Sequence, residues 1–77
     1  MAKVKKIVWD KSPDGYHEVP TEVKVGDHVG FKSDIEQSGK ITKIEGDWLT
    51  LENSNGFGGD YLRYATVTKQ HASDCWL

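Results

Sequence analysis

The sequence predicts an all-β fold, a small barrel-like domain of about five short antiparallel strands. Three observations predict it. Residues 23–53, VKVGDHVGFKSDIEQSGKITKIEGDWLTLEN, hold three short runs rich in β-branched, aliphatic or aromatic residues. Turn formers separate these runs, at Gly26-Asp27, 33–39 and Gly46-Asp47. Apolar residues alternate within the runs, as in Val29/Phe31 and Leu49/Leu51, which is the period of a half-buried strand.

Taken in order, Lys3 to Trp9 mixes lysines with Val4, Ile7, Val8 and Trp9 and reads as a strand whose lysines guard an exposed edge. DKSPDG at 10–15 is a turn, with Pro13 at its first central position and Asp14-Gly15 tolerating left-handed backbone. Tyr16 to Val19 returns as a short strand, and Pro20 ends it because proline has no amide for a ladder. Val23 to Val25 approach the body and Gly26-Asp27 turns into the strand His28 to Lys32, with Val29 and Phe31 inward. Ser33 to Gly39 is a polar loop. Lys40 to Glu45 is the next strand. Ile41 and Ile44 lie three apart there, so a bulge near Thr42-Lys43, or a strongly coiled strand, would bring both inside. Gly46-Asp47 turns into Trp48 to Glu52, with Leu49 and Leu51 inward and Trp48 outward.

NSNGFGG at 53–59 is the longest turn-former cluster. Asp60 to Arg63 then suits one helical turn with Asp60 at its start. Tyr64 to Lys69 is the predicted last strand, with Ala65 and Val67 inward and Tyr64, Thr66 and Thr68 outward. Gln70 to Leu77 has no period and reads as a tail, with Trp76 and Leu77 available to pack back on the body. The organisation expected is an arm or hairpin at 1–22, a barrel at 23–69 and a tail at 70–77, within one domain.

Seventy-seven residues hide only about 60% of the surface their unfolded chain exposes, so the core is small. Drug-sized pockets enclose about 300–1,000 Å³, and so small a barrel is filled by its own side chains. That argues against an enzyme. The net charge of −2 is unevenly spread. Residues 1–11 hold four lysines against Asp10, whereas residues 12–60 hold four lysines against ten acids. An acidic body repels phosphate, on whose neutralisation nucleic-acid affinity largely rests. Cys75 is the single cysteine, so no internal disulfide forms and a reducing compartment is expected. The segment MAKVKKIVWD lacks an apolar run of signal-peptide length, and no stretch is long enough to span a bilayer. The expectation is a cytoplasmic protein with no membrane association.

Three motifs resemble the SH3-like small barrels of the KOW and Tudor type. Val25-Gly26-Asp27-His28-Val29 resembles the hydrophobic-Gly-Asp-x-Val opening of those modules. Ser38-Gly39-Lys40-Ile41-Thr42-Lys43-Ile44 is similar to their Gly-x-hydrophobic-x-x-hydrophobic strand, and Asp60 to Ala65 to their closing turn and last strand. The match spans about residues 23–69. KOW modules commonly bind RNA or components of the transcription and translation machinery. Tudor modules commonly bind peptides through an aromatic cage. The acidic body departs from the usual RNA-binding balance, and the flank 1–22 matches neither pattern.

The leading functional expectation is a non-catalytic interaction module that binds a protein partner through exposed aromatics and an acidic surface. Its size suits a small accessory or phage-type regulatory protein. Trp48 and Tyr64 are placed opposite the inward residues, where aromatics anchor partners. The competing reading covers them with Trp9, Trp76 or Leu77. Phe57, on its glycine-rich loop, either reads a partner or plugs the barrel end, and Arg63 supplies a cation beside Tyr64. The alternative function is nucleic-acid binding through Lys3, Lys5, Lys6 and Lys11, with Arg63, Tyr64 and Trp48 adding charge and stacking. His17, His28, His71 and Cys75 show no paired ligand spacing, so no metal, cofactor or catalytic residue is expected. Oligomeric state is expected to be a monomer or weak homodimer, since a twofold contact could occupy the spare aromatics.

Overall fold

A computed structural model describes residues 2–9 and 15–77. The predicted turn at 10–15 and the basic residue Lys11 therefore lie outside the described residues, apart from Gly15. The elements are β1 (Lys3–Trp9), β2 (Tyr16–Glu22), β3 (His28–Lys32), β4 (Glu36–Glu45), β5 (Trp48–Glu52), β6 (Val67–His71), a 3-10 turn (Ala72–Asp74) and β7 (Cys75–Trp76). The described residues form an all-β fold with one seven-stranded sheet, ordered β2-β1-β7-β3-β4-β5-β6. Its pairs are antiparallel except β1–β7, which is parallel.

One face of this sheet is the core. Val29 and Phe31 of β3, Ile41 of β4 and Leu49 and Leu51 of β5 are buried, as their alternation requires. Ala2, Val4, Val23, Phe57, Ala72 and Cys75 complete the cluster. The expected bulge is present: pairing of β4 with β5 shifts register between Ile41 and Lys43. The extra residue lets Ile41 enter the core and Ile44 pack against it. Gly26-Asp27 turns as expected, with the Asp27 carboxylate accepting from Lys24 N–H at 3.0 Å.

Several expectations need correction. Among the described residues there are seven strands rather than five, because the N-terminal hairpin joins the same sheet through β7. The polar loop at 33–39 is only a short turn, and β4 begins at Glu36. Its first residues pair with β3 down to Lys32↔Glu36. β2 runs through Pro20 to Glu22. Pro20 is tolerated because β2 is an edge strand. The Lys5 carbonyl accepts from Leu77 N–H at 2.7 Å, so the backbone of Lys5 faces β7. Pro20 lies opposite Lys5, and its nitrogen therefore faces the free edge, where it blocks pairing with another chain.

The segment 60–69 differs most. Asp60 to Arg63 form turns rather than a helix, and the 3-10 turn falls at Ala72–Asp74. The last long strand starts at Val67, and Val67 is half exposed instead of inward. Its phase is set by β5: Leu51 pairs with Thr68 and Leu49 with Gln70, so those two polar residues take the partly buried slots. The expected tail is no appendage. After β6 the chain crosses the 3-10 turn, capped by the His71 ring, and enters the sheet as β7 between β1 and β3. Cys75 is buried there, and its thiol donates to the His71 carbonyl at 3.5 Å. Burial, with a smaller contribution from Asp74, pushes that thiol up to about 11 from 9.0. Trp76 lies on the opposite face across Gly30, where any Cβ would overlap the indole.

Candidate partner-binding surface

The loop 53–66 connects β5 to β6. Its two ends are pinned together, since Glu52 pairs with Val67 and Asn53 N–H donates to the Thr66 carbonyl at 2.9 Å. Inside it, Asn53 makes a local turn: its side-chain oxygen accepts from Asn55 N–H at 3.0 Å, and its carbonyl from Gly56 N–H at 2.9 Å. Phe57 then dives into the core, 5% exposed and edge-to-face with Phe31 at 5.5 Å. Of the two readings of Phe57, the inward one is observed: its ring lies in the core and is not offered to a partner.

Beyond Phe57 the loop is clamped to the β3–β4 hairpin. Gln37 bonds Gly58 twice, accepting from its N–H at 2.8 Å and donating to its carbonyl at 3.3 Å. The Asp34 carboxylate accepts from Tyr61 N–H at 2.7 Å. Gly59 makes this approach work. Its φ is +81°, and a Cβ there would press on the Asp34 side chain at 3.0–3.1 Å. Phe57 N–H donates to the Ala65 carbonyl at 2.6 Å, and Ala65 N–H to Leu62 at 3.0 Å. Leu62 and Ala65 rest partly buried on the core.

This bracing presents Tyr61, Arg63 and Tyr64 outward. Tyr61 is 84% exposed and Tyr64 83%. The Arg63 guanidinium sits over the Tyr64 ring, 5.1 Å from its centroid. Tyr64 has φ of +68°, the one left-handed non-glycine residue among those described. Such a conformation costs about 1–3 kcal/mol and persists only where the surroundings impose it. Tyr61 lies within the expected helical turn at 60–63 and carries no sequence signal that singles it out.

Trp48 is also exposed, at 52%, so neither Trp9, Trp76 nor Leu77 covers it. Its neighbour is the His71 ring, edge-on at 5.1 Å. Glu45, Thr50 and Lys69 line an open groove of about 340 Å³ beside it. Glu45 is bridged by Lys43 at 3.2 Å and Lys69 at 3.9 Å. Its carboxyl is held below the usual carboxylate value, first by the Lys43 hydrogen bond and then by both lysine charges. Trp48 and Tyr64 do not form one patch. Trp48 pairs with His71 at one end of the β5–β6 ladder, and Tyr64 lies beyond Glu52↔Val67 at the other, about 13 Å of strand away.

The lysines of the alternative reading are split. Lys3 and Lys5 share the outer face of β1, while Lys6 points to the other. In the register Lys3 stands opposite Glu22, and Glu18 follows two places from Pro20, the residue opposite Lys5. No group of three His, Cys, Asp or Glu residues able to hold a metal occurs among the described residues. No helix among them is long and apolar enough to cross a membrane. Compared with known proteins, the chain matches no family model, no curated protein and no solved structure.

Proposed function

We propose that this protein is a non-catalytic interaction module that docks a protein partner on the loop 53–66, with Tyr61, Arg63 and Tyr64 as the anchors and Trp48 as a separate secondary contact. The observation that carries this reading is the pairing of full exposure with backbone strain at Tyr64. Folding gains from this solvated ring only the exposed Arg63 contact, less than the left-handed backbone costs, whereas a partner gains a pre-positioned anchor. The loop's composition supports the same reading. Tyrosines supply large contact area at low entropic cost, and Asn, Ser and Gly supply adaptable hydrogen bonds, as in loops evolved for protein recognition. The acidic body favours a partner with a basic rim.

We carry the SH3-like small-barrel reading as part of this proposal. A single core under one sheet and a short 3-10 turn before the final short strand support it. The split lysines and their glutamate neighbours favour a protein over a nucleic acid as partner.

The test compares immobilised wild type with Tyr61→Ala/Tyr64→Ala in extract of the organism that encodes the chain, read by quantitative mass spectrometry. A protein enriched by wild type and lost with the double variant is expected. Enrichment of nucleic acid alone, abolished by moderate salt, would instead support the lysine reading. Trp48→Ala should weaken capture less than the double variant, and lower stability by only about 1 kcal/mol, the worth of its edge contact with His71.

A further inference from the structure

The outer face of the β1–β2 hairpin carries a second apolar surface, remote from the loop 53–66. Alternation places Lys3, Lys5, Ile7 and Trp9 on that face of β1, because Val4 between them is buried. The register adds Glu22, Pro20, Glu18 and Tyr16 from β2. Trp9 and Tyr16 meet edge-to-face at 5.6 Å and are 75% and 49% exposed. Ile7 is 44% exposed. Trp76 continues the surface across a groove of about 360 Å³ lined by Lys5, Ile7, Glu18 and Glu36. Glu36 stands opposite Lys32 in the β3–β4 register.

The charge on this hairpin face has a direction. Both cations, Lys3 and Lys5, lie on β1, and both anions, Glu18 and Glu22, lie on β2. A partner of one sign would be attracted by one strand and repelled by the other. A half-turn about an axis along the hairpin, midway between the strands, lays β1 of one copy over β2 of another. The register then sets Lys3 on the second copy's Glu22 and Trp9 on the second copy's Tyr16, and each contact occurs twice. Between them the same register sets Ile7 over the second copy's Glu18 and Lys5 over its Pro20, so Ile7, the proline ring and the aliphatic stems of Lys5 and Glu18 fill the centre. We propose that this face is a docking surface for a second copy of this chain, forming a twofold dimer held by Trp9, Tyr16 and Ile7 and set in register by the Lys3–Glu22 pairs. The net charge of −2 leaves little repulsion between copies. A two-stranded face is small, so the dimer is weak, at the low end of specific interfaces.

Sedimentation equilibrium across a wide concentration range tests this. Wild type is expected to move from monomer to dimer mass as concentration rises. Trp9→Glu, at an exposed position that the fold does not need, is expected to stay monomeric. Lys3→Glu and Glu22→Lys should each weaken the dimer by about a hundredfold, because the twofold axis makes each substitution break two close charge pairs, each worth about tenfold. The double swap Lys3→Glu/Glu22→Lys should restore it, with circular dichroism confirming the fold throughout. A wild type that keeps monomer mass at every concentration overturns the proposal. So does a dimer that survives Trp9→Glu, or a double swap that fails to recover mass.

Discussion

Ending the chain at Asp74 is expected to abolish cooperative unfolding, although only Cys75, Trp76 and Leu77 are lost. These residues are β7 and its exit, and β7 is the strand that joins the hairpin β1–β2 to the body. Without it, the Lys5 carbonyl loses Leu77 N–H, and Gly30 and Phe31 lose their partners Trp76 and Cys75. The core loses a fully buried side chain at Cys75, from the cluster that also holds Val4 and Ala2. Each lost hydrogen bond is worth about 1 kcal/mol and each emptied core site about 2 kcal/mol or more. Their sum reaches the whole stability of a domain near the lower end of about 5–15 kcal/mol. Thermal melts followed by circular dichroism check this. A truncated chain that still melts sharply, near the full-length midpoint, would mean that β7 is peripheral.

The second large effect is at Phe57. Phe57→Ala should cost about 3–5 kcal/mol in urea unfolding, the cost of emptying a buried aromatic site against Phe31. The loss has a second consequence. Phe57 is the anchor from which the loop reaches Gln37 and Asp34, so the variant should also lose partner capture at temperatures where it remains folded. Phe57→Leu, which keeps most of the volume, should recover most of both properties. A cost below about 1 kcal/mol would return Phe57 to the surface.

What the sequence made legible follows from local physics. Val29, Phe31, Leu49 and Leu51 announce their burial by period two, and β1, β3 and β5 begin and end where their turn formers and charges say. The irregularity at Ile41/Lys43 was readable because two isoleucines three apart break the period of a regular strand, and of the bulge and the coiled strand that could reconcile them the register shift shows the bulge. β7 was not readable. Two residues carry no periodicity, and their place between β1 and β3 is decided by long-range pairing. The phase of β6 was misread because Ala65 looks like an inward strand residue. Its carbonyl and amide instead serve Phe57 and Leu62 within the loop.

The candidate site was legible in part. Trp48 is exposed on the face where alternation placed it, whereas Tyr64 is exposed in the loop and not on the expected strand 64–69. Tyr61 and the bracing by Gln37 and Asp34 depend on contacts across 21 and 27 residues of chain. The Trp9–Tyr16 pair needs the hairpin register, which no single residue states.

Tyr64→Gly separates folding from docking most directly. Glycine relieves the left-handed backbone at φ +68° and removes the exposed ring in one step. The greater freedom of glycine in the unfolded chain offsets part of the relief, by about 0.4–1 kcal/mol. The measurement is the urea unfolding free energy of this variant, taken beside its capture of the partner. Stability unchanged or raised by about 1 kcal/mol, with capture lost, is the result expected of a residue kept for a partner. A variant destabilised by about 2 kcal/mol or more, or one that captures as wild type does, would show that Tyr64 serves the fold or nothing at all.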